Sequence, residues 1–263
     1  MPLHIQLSRS TCVTAPEVTE GPYYVANELQ RTDLREGQAG VDLVLDIGVI
    51  DTTTCTPLQD ALVEIWNCAE VKEKNRQLAL MLDSLPLLAV AAGGAPPTKR
   101  STSMTDQFTW LRGGYATNSE GMVEFKTIYP GYYTSLTVHI HTMVHTNYSV
   151  ATNGSIISHA GEVRHIGQSF FDEDLNDQVL AQPAYLNTTQ IRTLNDDDSV
   201  LTDQNTDGYN AVADAELIGA GVSEGVLAYI ILGVDTMCTS NVIGTNYVTA
   251  VADSDVAEAT ASA

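Results

Sequence analysis

Two histidines and a pair of tyrosines, all within ten residues, could do metal chemistry. Residues 130–141 read PGYYTSLTVHIH, which places His139 and His141 two positions apart. Residues i and i+2 of a strand point to the same face, so the two imidazoles would project together and could bind one metal ion. A phenolate from Tyr132 or Tyr133 would add a hard anionic oxygen donor suited to ferric iron. An isolated His-x-His pattern is more often a pair of ordinary strand histidines, so the metal interpretation depends on the surrounding sequence.

The rest of the sequence is predicted to form mostly strands. In residues 41–50, VDLVLDIGVI, apolar side chains alternate and would share one face. Further strands are predicted at 61–66, 110–117, 121–128, 134–148 and 226–234, with a hairpin turn at 118–121. The predominance of strands and turn residues favours an all-β fold: an antiparallel β-sandwich with long loops and one or two short helices.

Two segments have helical rather than strand character. Within residues 70–90, apolar side chains fall at helical spacing and the helix would end near Pro86. Residues 170–181, FFDEDLNDQVLA, are predicted to form a second helix, and residues 196–210 a polar loop.

One folded domain is expected. Residues 1–40 are predicted to form an N-terminal arm, and residues 41–251 a single β-sandwich domain with a divergent insertion at about 69–107. Residues 252–263 are acidic and rich in Ala and Ser, so a disordered tail is expected.

The chain is strongly acidic, with 12 Lys and Arg against 33 Asp and Glu and a net charge of −21. Such a surface repels nucleic acids and anionic membranes, so neither is expected as a partner. A neutral or cationic small molecule is the more natural ligand.

Cysteines and glycosylation motifs favour the secretory pathway or an extracellular location. The four cysteines are Cys12, Cys55, Cys68 and Cys238, and no two are spaced as Cys-x-x-Cys, so a zinc knuckle is not expected. They could form two disulfides in any of three pairings or remain buried free thiols. Three sequons begin at Asn147, Asn153 and Asn187. There is no apolar run long enough for a transmembrane helix, and the N-terminus MPLHIQLSRS lacks the apolar region of a signal peptide.

Longer stretches of the chain resemble the secreted, fungal-type branch of the intradiol ring-cleavage dioxygenase family. In chain order they are APEVTEGPYY (15–24), REGQ (35–38), ALVEIWNC (61–68), LRG (111–113), GMVEF (121–125), YPGYY (129–133), HIH (139–141) and HIGQSFFD (165–172). The block at about 69–107 has no counterpart. The resemblance implies an enzyme similar to catechol, hydroxyquinol or protocatechuate dioxygenases, acting on a small aromatic substrate and forming a homodimer.

The resemblance also implies a metal site of ferric iron, Fe(III), held by two tyrosinates and two histidines. Tyr133, rather than Tyr132, matches the family's PGxY position and would be both a metal ligand and the catalytic base. His139 and His141 match the two histidine ligands.

Substrate-contacting residues follow from the same resemblance. Gln168, in the HIGQ stretch, resembles a glutamine near the bound substrate, with a catalytic role. Tyr24, after Glu-Gly-Pro, resembles a residue that lines the pocket mouth. For both side chains ordinary packing is the alternative.

Two positions depart from the family's pattern. The family's other tyrosine follows the strand tryptophan, but here no tyrosine lies between Trp66 and Tyr115. Its arginine, three residues before the first histidine, is Leu136 here, which would line a more apolar substrate pocket. Losing a tyrosinate leaves excess positive charge and favours a divalent ion, another anion or no metal. Losing the arginine removes a positive charge that can stabilise a developing anion in a dry site by roughly 3 kcal/mol.

Four residues could replace the missing ligand: Tyr115, Tyr132, His145 and His165. His145 would share the strand face of His141, but about 13 Å separates them along an extended strand unless the strand bulges.

Three functions are therefore open. The first is metal-dependent oxidative ring cleavage of a catechol-type aromatic. The second is a repurposed enzyme, a cyclase, isomerase or hydratase acting on an aromatic or polyketide-like compound, with an altered or absent metal. The third is a non-catalytic aromatic-binding protein.

Overall fold

A computed structural model describes residues 12–21, 24–67, 111–186, 188 and 190–244. The helix predicted within 70–90, the insertion at 69–107 and the tail at 252–263 lie outside these residues, as do Cys68 and Asn187.

Strands dominate the described chain, with two short α-helices. The strands are β1 (Asp42–Asp51), β2 (Thr56–Pro57), β3 (Leu62–Asn67), β4 (Arg112–Ala116), β5 (Met122–Ile128), β6 (His139–Thr146), β7 (Ser149–Val150), β8 (Ile156–Ile157), β9 (Glu162–Phe170), β10 (Asp214–Leu217) and β11 (Val226–Val234). The helices are α1 (Glu173–Leu180) and α2 (Ser199–Gln204), with 3₁₀ turns at Asn195–Asp197 and Val222–Glu224. Among the described residues no helix is long and apolar enough to cross a membrane.

Two sheets form the sandwich. The first has the order β10-β11-β1-β2, with β5 also paired to β1, and the second has the order β4-β3-β6-β9. Strand pairs are antiparallel except β1 with β11, which run parallel from Leu43 opposite Val226 to Asp51 opposite Val234. The all-β sandwich expected from the sequence is confirmed, with one parallel pair added.

Alternating side chains of both sheets meet in one main core. Leu43, Leu45 and Ile47 of β1 are buried there, on the face that the sequence pattern predicted. Ile65 of β3 and Ile140 of β6 come from the facing sheet. Because neighbouring residues of a strand point to opposite faces, Trp66 and His141 lie on the outer face of the second sheet.

The N-terminal arm covers that outer face. Val18 N–H donates to the Ile166 carbonyl of β9 at 3.1 Å. Farther along the arm, Gln30 bridges to Gly114 of β4. A second, smaller apolar cluster lies under the arm and contains Tyr24, Trp66, Met143 and Ile166. The arm thereby turns the outer face of the second sheet into a buried layer.

Two sequence predictions are corrected. The turn at 118–121 is present, with Gly121 N–H donating to the Asn118 carbonyl at 2.9 Å, but it does not close a hairpin. It connects β4, which pairs with β3, to β5, which pairs with β1 in the other sheet. The predicted polar loop at 196–210 contains α2, because Asp198 caps the helix through its side chain.

A disulfide joins Cys12 to Cys55, with a Cα–Cα distance of 5.6 Å. Cys238 is an exposed free thiol that contacts Asp235. The disulfide ties the arm to the turn that follows β1.

Candidate metal centre

Two imidazoles of β6 converge at the start of that strand. His139 and His141 are 5% and 3% exposed, and their Nε2 atoms lie 3.2 Å apart. With metal–nitrogen bonds of about 2.1 Å, this separation corresponds to an angle of about 100° at a shared ion. That angle lies between the octahedral and tetrahedral values, so the spacing of the two nitrogens is compatible with a shared ion.

A hydrogen bond fixes the tautomer of His139. Its Nδ1 lies 2.7 Å from the Thr137 carbonyl, and a carbonyl oxygen only accepts, so Nδ1 carries the proton. The lone pair is then on Nε2, the atom that faces His141.

Burial keeps both imidazoles neutral, the form that binds metals. Loss of solvent lowers the pKa of His139, although the Thr137 carbonyl and the Asp198 charge oppose the change. Burial lowers the pKa of His141 well below its ordinary value, and the neighbouring His139 and Arg112 lower it further.

Tyr133 reaches the same place from a tight turn. Its ring packs edge-on against the His139 imidazole, with centroids 5.6 Å apart and planes at 71°. The turn closes with Leu136 N–H donating to the Tyr133 carbonyl at 3.3 Å, and Ser135 takes a left-handed φ of 82°. Leu136 is half-buried in that turn, next to the tyrosine.

Gln168 is placed on β9 directly opposite His141. Its backbone N–H donates to Gln204 Oε1 at 2.8 Å, and its side-chain amide donates to the Thr19 carbonyl at 3.4 Å. Its Oε1 is buried without a hydrogen-bond partner among the described residues. Among the described residues the carboxamide therefore has an unused acceptor, on the strand position opposite His141.

Tyr24 lies deeper than the resemblance implied. It is 1% exposed, packs against Trp66 with ring centroids 5.1 Å apart, and its hydroxyl donates to Glu64 Oε2 at 3.3 Å. In this structure it lies in the buried layer behind His141 and not at a pocket mouth.

Two further residues shape the site and were not expected from the sequence. Trp66 stacks on His141, its partner in the β3–β6 register. Gly21 of the arm lies so close to His141 that a Cβ there would be 2.8 Å from Cε1. The EGPYY stretch indicated a functional segment, but strand register and the path of the arm determine these contacts.

The four residues that could replace the missing tyrosinate are each exposed to solvent or in contact with other parts of the molecule. Tyr115 is 44% exposed on β4, and Tyr132 packs against the main core. Glu64 Oε2 lies 2.5 Å from His145 Nε2, and Glu17 Oε1 lies 2.7 Å from His165 Nδ1. The β6–β9 register shifts between Val144 and His145, yet His145 remains with Glu64.

Within the described residues, no group of three or more His, Cys, Asp or Glu side chains could hold a metal ion. The two histidine nitrogens converge here, and the ring of Tyr133 lies against His139. Two neutral nitrogens and one phenolate fit a metal ion in part: they supply three donors and leave further positions for water or substrate.

Comparison with known proteins finds relatives at the level of structure. No family model and no curated protein matches the sequence. The chain is similar to an intradiol ring-cleavage dioxygenase from Tetranychus urticae at 25% identity, with a TM-score of 0.63 over 88% of this chain and 98% of that one.

Weaker structural similarity extends to two bacterial proteins. One is the dioxygenase domain of a carbohydrate-binding fusion protein from Streptomyces sp. SirexAA-E, at 19% identity and a TM-score of 0.49, covering 84% of this chain and 98% of that one. The other is a catechol 1,2-dioxygenase from Acinetobacter sp. ADP1, at 18% identity and a TM-score of 0.47, covering 88% and 68%.

The Tetranychus similarity supports a dioxygenase-like fold for this chain.

Proposed function

We propose that this chain is an intradiol-dioxygenase-like enzyme that carries out metal-dependent oxidative ring cleavage of a catechol-type aromatic. One observation supports this above the others: the buried Nε2 atoms of His139 and His141 lie 3.2 Å apart beside the Tyr133 ring. His139 Nε2 carries a lone pair, so it can accept a hydrogen bond from His141 Nε2–H; with the His141 proton on Nδ1 instead, both Nε2 atoms could bind one ion.

His139, His141 and Tyr133 would hold the ion. When bound, the metal would supply a binding point for the two substrate oxygens and the redox chemistry that links them to O₂. Fe(III) is expected by resemblance, whereas a site with one tyrosinate in place of two would also be compatible with a divalent ion.

The chain's own residues have roles that do not depend on the identity of the ion. The Tyr133 Oη, as phenolate, would accept a proton from a substrate hydroxyl and act as the general base. The free Oε1 of Gln168 would accept a hydrogen bond from the substrate, and Leu136 would present an apolar wall to the aromatic ring.

Elemental analysis and oxygen uptake test the proposal together. Full-length protein, purified without added metal or chelator, is expected to contain about one metal ion per chain and to consume O₂ with catechol or hydroxyquinol, giving a ring-opened acid. His139→Ala and His141→Ala should abolish both, while His159→Ala, at an exposed histidine, should change neither. Unchanged metal content in the double His139→Ala, His141→Ala variant would show that the site is elsewhere.

A repurposed enzyme of the same fold is the second candidate, and Leu136 favours it. Half-buried leucine stands where the family has an arginine, so a charged intermediate has less stabilisation at this position. This candidate, a cyclase, isomerase or hydratase, predicts product formation without O₂ consumption. A non-catalytic binding protein would neither form a product nor consume O₂. Calorimetry would then detect only the binding of the aromatic compound.

We also infer that the protein passes through the secretory pathway, and we predict that it forms a homodimer. The Cys12–Cys55 disulfide fits an oxidising compartment, and the sequon residues Asn147 and Asn153 are both exposed. A mobility shift after endoglycosidase treatment of the protein from its native source tests the route, and light scattering tests the dimer.

A further inference from the structure

Asp198 is a buried carboxylate whose two oxygens serve different parts of the chain. It is 1% exposed. Its Oδ1 accepts from Val200 N–H at 2.8 Å and Leu201 N–H at 3.0 Å, which caps α2. Its Oδ2 accepts from Thr137 N–H at 2.6 Å, 61 residues away in sequence. Capping a helix needs only the first oxygen, so the second bond calls for another explanation.

The second bond ends on the residue that fixes His139. The Thr137 carbonyl accepts the proton of His139 Nδ1 at 2.7 Å. The Thr137 hydroxyl donates to Asn195 Oδ1 at 2.7 Å, so the 195–198 turn holds this residue by backbone and side chain together. Rotation of the Thr137 backbone would move the carbonyl away and release the imidazole.

The 195–198 turn is itself anchored to the rest of the fold. Asn195 N–H donates to Glu173 Oε2 at 2.7 Å, and its side-chain amide donates to the Phe171 carbonyl at 2.8 Å. Phe171 and Glu173 flank the junction of β9 and α1. The turn is thus a fixed support and not a free loop.

We infer that Asp198 is a positioning residue for the proposed metal site: through the Thr137 peptide it holds His139 with Nδ1 protonated and Nε2 directed at the ion. This inference rests on the proposed function for the identity of the site. Outer partners of metal-binding histidines commonly fix ring orientation and tautomer, and their loss costs about 10–100-fold in metal affinity.

Two substitutions separate this role from helix capping. Asp198→Ser keeps a favourable cap but has no second oxygen to reach Thr137. Asp198→Asn keeps the size of the side chain and an oxygen to cap α2, but replaces the other carboxylate oxygen, an acceptor, with an NH₂ group, a donor. Asp172→Ser is the control, because Asp172 is exposed and caps α1 by accepting from Asp174 N–H, whereas Asp198 also accepts from Thr137 N–H.

Two measurements are made on full-length protein: the dissociation constant for Co²⁺ alone by calorimetry, and the ¹⁵N shifts of the His139 imidazole in metal-free protein, assigned with His139→Ala. Both Asp198 variants are expected to weaken Co²⁺ binding by about 10–100-fold and to mix the His139 tautomers, whereas Asp172→Ser should change neither. Thermal unfolding confirms that the variants are folded.

Unchanged affinity and an unchanged tautomer in both Asp198 variants would overturn the inference, as would an equal loss in Asp172→Ser. If the wild-type protein binds no Co²⁺, the proposed metal site fails. The tautomer of His139 in the metal-free variants still decides whether Asp198 positions that ring.

Discussion

The indole ring of Trp66 lies flat against the imidazole of His141, with ring centroids 5.0 Å apart and planes 3° from parallel. The two residues are direct partners in the β3–β6 register. His141 Nδ1 is buried without a hydrogen-bond partner among the described residues, whereas His139 has the Thr137 carbonyl. Apart from its Nε2 contact with His139, the orientation of His141 therefore depends on packing, whereas that of His139 depends on a hydrogen bond to Thr137.

Removing the indole should loosen His141. Trp66→Ala is expected to lower the free energy of unfolding by about 3–5 kcal/mol, as for other buried aromatic truncations. It should also weaken metal binding by roughly 10–100-fold, because the indole acts as an outer support of the ligand. Denaturant unfolding and calorimetry with Co²⁺ measure the two effects.

Phe125→Ala is the control for that variant, since Phe125 is fully buried in the main core on β5, in the other sheet. It should lose similar stability and keep its metal affinity. An equal affinity loss in both variants would show that general loosening, and not the indole, is responsible.

Local periodicity predicted most of the strands, because a strand with one buried face has apolar residues at alternate positions of the sequence. The alternation in 41–50 matches β1, and the apolar run at 226–234 matches β11 at both ends. The helix predicted within 170–181 is α1, and Asp172 caps its start. The secondary structure of these segments is therefore determined mainly by their own residues.

Strand partners and side-chain supports could not be predicted in the same way. The turn at 118–121 looks like a hairpin locally, but the choice of sheet for β4 and β5 is decided by long-range pairing. The spacing of His139 and His141 predicted a shared strand face, as observed. The positions of Trp66, Gly21 and Asp198 depend on register and on the path of distant segments, which a single sequence does not show.

Gly21 is expected to tolerate no side chain, for two separate reasons. Its φ is +69°, and a left-handed conformation costs an L-residue about 1–2 kcal/mol. A Cβ would also meet His141 Cε1 at 2.8 Å and displace the ring. Gly21→Ala should therefore lose both stability and metal affinity, the latter measured by dialysis and elemental analysis.

Gly37 provides a matched control because it has the same φ of +69°, and a Cβ added there would meet nothing within 4 Å. Gly37→Ala should show the backbone cost alone, about 1–2 kcal/mol, with metal content unchanged. Full metal content in Gly21→Ala would mean that the arm does not constrain His141.

Glu28 is expected to make stability depend on pH. It is 1% exposed, and its Oε1 accepts a hydrogen bond from Arg112 Nη1 at 3.1 Å, with the charges of Glu64 and Arg31 also nearby. Burial raises the pKa of Glu28 from 4.5 to about 8, Arg112 opposes the rise, and the charge of Glu64 adds to it. An acid whose pKa is higher in the folded state binds its proton more tightly there than in the unfolded chain. Its contribution to stability is fully present below about pH 4.5 and is lost as the pH rises towards about 8.

Glu28→Gln should therefore gain stability relative to the wild type as the pH rises. At pH 4 both proteins carry a neutral group at position 28, so their unfolding free energies should be similar. Between pH 5 and pH 8 the variant should gain at least about 1.4 kcal/mol over the wild type, the equivalent of one pKa unit. Denaturant unfolding at a series of pH values measures the difference, with Glu120→Gln as an exposed control that should run parallel to the wild type. A difference between Glu28→Gln and the wild type that stays constant from pH 4 to pH 8 would show that Glu28 is ionised throughout, held by Arg112.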